Sequence, residues 1–232
     1  MVYQYSYLVL DIVLIVIWLA LFAWRKDLRR KMFFMSLPLG IFGAFLELMY
    51  KKDWWASPTL FEFPVNPESF LYSFFLAGIA SVLYEEVFKK KIKPRKLSQK
   101  QKAKKQVNFW ILSICFAAGH LILFYGFHLN SLVATMLMFG GALGVVWMRR
   151  SDLITDSIFS GALLVALSFI VYAITDFFTP GWINTLLYFE FFPTKIALLG
   201  YPLEEFFFYF FFGAVVGPFY EFWEEAKVMK KK

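Results

Sequence analysis

The chain has 232 residues, 60% of them hydrophobic and 22% aromatic, with 31 Phe and a mean hydropathy of +0.60. Charged residues make up 18%, against about 25% in an ordinary soluble domain, and they are bunched. A water-soluble fold of this size could not hide so much apolar surface. The net charge of +7 lies in short breaks between oily runs and not on a folded basic face, so no nucleic-acid partner is expected.

A spanning helix needs about 20 mostly apolar residues, and seven segments qualify in chain order. They run over Tyr3–Trp24, Phe33–Tyr50, Phe70–Phe88, Phe109–His128, Ser131–Met148, Leu153–Phe177 and Leu203–Trp223. The fourth and fifth meet at a tight His128-Leu129-Asn130 turn. The charges of the first follow its apolar run, so it reads as a retained helix and not a cleaved signal. Of the 24 Lys and Arg, 21 fall on one side of this topology: Arg25–Lys31, Lys89–Lys105, Arg149-Arg150 and the tail from Lys227. Lys51, Lys52 and Lys195 fall on the other. The bias predicts an N-terminus outside and a C-terminus in the cytoplasm. The run Lys89–Lys105 reads as a solvated linker touching anionic lipid headgroups.

Two stretches repeat. Glu68–Phe75 aligns with Glu204–Phe211, and Tyr84-Glu85 with Tyr220-Glu221, at a constant offset (204 − 68 = 136; 221 − 85 = 136). Trp24-Arg25-Lys26 resembles Trp147-Met148-Arg149-Arg150. The expected fold is therefore an all-α integral membrane protein, with seven transmembrane helices as two parallel three-helix repeats joined by a linker helix. Residues 1–88 form the first repeat, 89–128 the basic loop and linker helix, and 129–232 the second repeat with its basic tail. Sites in such proteins lie between the halves.

Carboxylates in or at the edge of a span are functional candidates by default. Glu204 and Glu205 follow Pro202 at the start of the last span, where they also suit the helix dipole. Glu68 is the first repeat's counterpart. Glu85 and Glu221, each after a tyrosine (Tyr84, Tyr220), close their helices about 25 Å away at 1.5 Å per residue. Asp11, Glu47 and His120 lie inside spans, whereas Asp156 is expected to pair with Arg149 and Arg150. No lysine is placed inside a span, which disfavours a retinal Schiff base. Trp24, Trp54, Trp55, Trp147 and Trp182 read as interfacial residues. Phe208 and its neighbours could wall an apolar slot beside the Glu pair, where aromatic faces would stabilise a cation. Two histidines and the single Cys115 leave no metal centre or disulfide, and no nucleotide fingerprint occurs, so no cofactor is expected.

The run Gly200-Tyr201-Pro202-Leu203-Glu204-Glu205-Phe206-Phe207-Phe208, continuing to Gly217-Pro218-Phe219-Tyr220-Glu221, resembles the small membrane-integral lycopene cyclases. Asp176 with Pro180-Gly181-Trp182, and Asp53-Trp54-Trp55-Ala56-Ser57-Pro58, resemble that family's outer loops. The resemblance implies an isomerase that closes the end group of a membrane-dissolved carotenoid by protonation, without a cofactor. Glu204 and Glu205 would be the proton donor and its partner. Ser69 stands where the first repeat would need the second acid. A cyclase of another isoprenoid and a small-solute transporter are the alternatives.

Overall fold

A computed structural model describes residues 2–56, 59–60, 63–93, 99, 111, 113–183, 197–198 and 200–230. Helices dominate it. In chain order they are α1 (Ser6–Trp24), α2 (Arg29–Asp53), α3 (Pro67–Ala80), α4 (Leu83–Val87), α5 (Ser113–Gly126), α6 (Ser131–Arg149), α7 (Ile154–Phe178) and α8 (Leu203–Glu224). Six units are long and apolar enough to cross a bilayer: α1, α2, α3 with α4, α6, α7 with the 3-10 turn before it, and α8. The chain is an integral, multi-pass membrane protein.

The expected fourth span is only partly described. Phe109 and Trp110, the basic run after Lys93 (apart from the described Gln99), Lys195 and Ser57-Pro58 lie outside the described residues. The described α5 is shorter than a span and ends in π turns at Ile122–Gly126. Its reversal into α6 uses His128 with φ 53, and the Asn130 side chain accepts the Leu132 N–H at 2.9 Å, a helix cap. Asp53 binds the same end of α6, accepting from Ser131 N at 3.0 Å and from the Ser131 hydroxyl.

α2 packs on α3 and α7 packs on α8, α1 lies against both α3 and α7, and α3 touches α8. Small residues set these approaches. A Cβ at Gly78 would lie 2.2 Å from Trp18 Nε1 and 2.3 Å from Ser36 Oγ, and one at Gly213 would lie 2.8 Å from the Ser160 carbonyl oxygen. Close backbone contact of this kind drives helix association where lipid is as apolar as the side chains. The outer faces carry exposed Val16, Phe45, Leu121, Ile170 and Phe177, as lipid contact requires.

Two expectations need correction. α2 begins before Phe33 and carries Lys31 into the bundle, where it is 2% exposed. A buried lysine is tolerated because acids surround it. Trp54, Trp55 and Trp182 are core residues, at 5%, 7% and 0% exposure, and not interfacial ones. The loops that bear them fold back over the bundle, and Tyr7, Tyr172 and Phe208 stack edge-on against their rings.

At the basic end Arg25 and Arg150 make matched contacts. Arg25 donates to the backbone carbonyl of Glu85 at 3.0 Å and of Lys90 at 2.8 Å, and grips Asp27. Arg150 donates to the carbonyl of Glu221 at 3.3 Å and of Ala226 at 3.0 Å, and grips Asp152. The acceptors are again 136 apart (221 − 85 = 136; 226 − 90 = 136). The strands that follow, β1 (Lys90–Lys93) and β2 (Lys227–Lys230), pair antiparallel with each other. Asp156 is thus not the partner of Arg150; Asp152, two residues along, takes both guanidinium donors in a planar fork.

Candidate functional site

Two buried polar assemblies stand out. The first lines a cavity of ≈ 60 Å³ between α2, α3, α6 and α8, walled by Leu39, Phe42, Trp54, Phe139, Phe208 and Phe212 among others. Glu205 lies on its wall and is 2% exposed. Pro202 opens α8 in extended geometry and so places Glu205 in the first turn, one position beyond the partly exposed Glu204. Both oxygens of Glu205 are held: Trp54 Nε1 donates to Oε1 at 3.1 Å, and the Tyr172 hydroxyl donates to Oε2 at 2.7 Å. The Tyr209 hydroxyl donates to Tyr172 at 3.0 Å, and Tyr72 closes the chain with a short hydrogen bond to Tyr209. Glu47, Tyr7 and Tyr50 also line the cavity; Tyr7 donates to Glu47 at 3.4 Å, and Lys51 pairs with Glu47 at 3.2 Å.

The second assembly closes the basic end of the bundle. The Lys31 ammonium donates to Glu85 Oε1 at 2.8 Å and to both oxygens of Glu221 at 2.8 Å. Asp156, accepting from Ser160 at 2.9 Å, has a carboxylate oxygen within 4.8 Å of those of Glu85 and Glu221. Three carboxylates at this spacing could hold a metal ion, but here the ammonium fills the cation's role. Oε2 of Glu85 and Oδ2 of Asp156 have no hydrogen-bond partner. Lys31 was missed because its segment is so basic that it reads as a solvated turn. The signal that could have found it is its i, i+4 spacing with Met35 on a face that continues as apolar helix.

The remaining candidates are dispersed. Glu68 Oε1 accepts the Leu60 N–H at 2.8 Å and ties down the preceding loop. Asp176 holds the Gly181 N–H at 2.8 Å, where Gly181 takes φ +77. Asp11 is fully buried with both oxygens unpartnered. His120 Nδ1 lies 2.9 Å from the Phe116 carbonyl and its ring meets Phe42 edge-on. Tyr84 packs on Phe88, and Tyr220 on Phe34. Outside the membrane, the hydrogen bonds to Asp27 and Asp152 push the Arg25 and Arg150 guanidiniums above their already high values.

A family model described as Rce1-like, type II CAAX prenyl endopeptidase, matches residues 67–160. No curated protein and no solved structure matches the chain. The matched stretch holds Tyr72, Ser73, Leu76 and Phe139 of the cavity, and Glu85 and Asp156 of the ion cluster. This finding overturns the carotenoid reading. The similarity is to a membrane protease, so lycopene cyclisation, carotenoid biosynthesis and the isomerase class are all corrected; the isoprenoid-cyclase and transporter alternatives do not fit it either. The physical reason is that the quoted motif is chemically generic. A proline, two acids and a run of Phe start any membrane helix well, and a carboxylate among aromatics serves hydrolysis as readily as alkene protonation.

Proposed function

We propose that the chain is a membrane-embedded endopeptidase that cleaves a peptide bond in a prenyl-bearing segment of the C-a-a-X kind. The similarity over residues 67–160 carries this reading. Glu205 is the group best suited to activate the hydrolytic water, because it is a carboxylate on a cavity wall inside the bilayer, held in one orientation by two donors. The aromatic walls suit a prenyl chain. The test is release of the C-terminal fragment from a farnesylated C-a-a-X peptide by the protein in lipid vesicles, read by mass spectrometry. Intact peptide beside folded protein would overturn the reading.

We also propose the two-repeat arrangement, 1–88 and 129–232 joined by 89–128, with the basic ends in the cytoplasm against anionic headgroups. The matched Arg25 and Arg150 contacts and the pairing of β1 with β2 support it. On this orientation Glu205 acts from the outer half of the membrane.

A second site for the same reaction is favoured by one observation. Glu85 and Asp156 both lie in the matched stretch, and each keeps an unpartnered oxygen. Paired carboxylates can activate water between them, as in aspartic proteases. Activity that survives Glu205→Gln but not Glu85→Gln would select it.

A further inference from the structure

We propose that Tyr72, Tyr209 and Tyr172 form a proton relay that joins the two walls of the Glu205 cavity, with Tyr72 as the acid that serves the leaving group. This rests on the endopeptidase reading above.

The donors dictate the direction. Tyr172 gives its only hydroxyl proton to Glu205, and Tyr209 gives its own to Tyr172. A phenol carries one proton, so Tyr72 must donate to Tyr209 in the short bond between them. Every proton in the chain therefore points toward the carboxylate. The three rings come from α3, α7 and α8, and the two phenols in the middle, Tyr172 and Tyr209, are 0% and 2% exposed. Water cannot short-circuit such a chain. Its two ends, Glu205 and Tyr72, line the same cavity.

Hydrolysis needs a proton removed at one point and delivered at another. Water forms its bond to the peptide carbonyl carbon as Glu205 takes one of its protons; the other hydrogen stays on the new carboxyl group. The C–N bond then breaks, its electron pair goes to nitrogen, and nitrogen takes the Tyr72 proton. Tyr72 is refilled from Tyr209, Tyr209 from Tyr172, and Tyr172 from Glu205, with every hydroxyl reversing. The carboxylate returns, and no proton is gained or lost overall. Each Glu205 oxygen accepts one hydrogen bond and keeps a second lone pair for the water proton, and the Tyr172 contact on Oε2 gives that proton its way into the chain.

Tyr209→Phe removes one oxygen at the centre of the chain and leaves both ends in place. General acid–base groups contribute about 10²–10⁴-fold, so kcat for the farnesylated peptide should fall at least about 100-fold with KM unchanged. The solvent deuterium effect of the wild type should require several protons, and that of the variant one. Full kcat, a change in KM alone, or an unchanged proton dependence would overturn the relay. A second readout stands apart from peptidase activity: the infrared carboxyl band assigned by Glu205→Gln. It should move in Tyr209→Phe, although Tyr209 does not touch Glu205; an unmoved band overturns the relay. If the wild type cleaves no prenyl peptide but the band moves, the relay holds and the endopeptidase reading falls.

Discussion

Glu205 and Glu204 are neighbours with different surroundings. Glu205 is enclosed and held by Trp54 and Tyr172, while Glu204 is partly exposed. Glu205→Gln should therefore lower peptide cleavage about 10²–10⁴-fold, whereas Glu204→Gln should leave it within a few-fold; paired kinetic assays on vesicles check both. The two acids could not be told apart in sequence, since adjacent helix positions differ by about 100° of rotation and the facing elements decide which one is buried. Lys31 is the opposite case. It was legible as a cation but not as a buried one, because its two carboxylate partners are 54 and 190 residues away. Lys31→Met leaves three buried acids without their ammonium. Removing one partner of a buried ion pair costs about 3–5 kcal/mol, and the loss should appear in a denaturant titration and be eased by adding Glu221→Gln.

At the scale of elements, the pairs α2–α3 and α7–α8 depend on glycine. Gly213 faces the backbone of Ser160 and Gly161, at 2.8 and 3.0 Å from an added Cβ, and backbone cannot swing aside. Gly213→Ala should destabilise the bundle by about 1–3 kcal/mol, whereas Gly144→Ala, which meets nothing within 4 Å, should be neutral; thermal melts in detergent compare them. Six of the seven expected spans were legible from apolar length, and the α5–α6 turn from His128-Leu129-Asn130. The start of α2 was not, because a helix that buries its basic first turn against distant acids breaks the rule that charge ends a span.

At the scale of the whole molecule, the Arg25 and Arg150 clamps tie the loops after α1 and α6 to the ends of α4 and α8. Each guanidinium has its pKa raised by an aspartate two residues on, so its contribution is complete below the ordinary arginine range and is lost only above it. Arg25→Ala and Arg150→Ala should lower stability by similar amounts at pH 6 and pH 9, measured by chemical unfolding; a loss confined to one pH would break the argument. The membrane class and six of the seven helical segments were determined by sequence alone, because apolar length is a local property that a bilayer reads directly. The Phe-rich helix start was legible but misleading as to reaction, since bilayer physics selects it for many chemistries. Tertiary structure alone decided that Glu205 meets Trp54 and three tyrosines from three helices, and that Lys31 binds Glu85 and Glu221. Those partners are remote in the chain, and only packing brings them within a hydrogen bond.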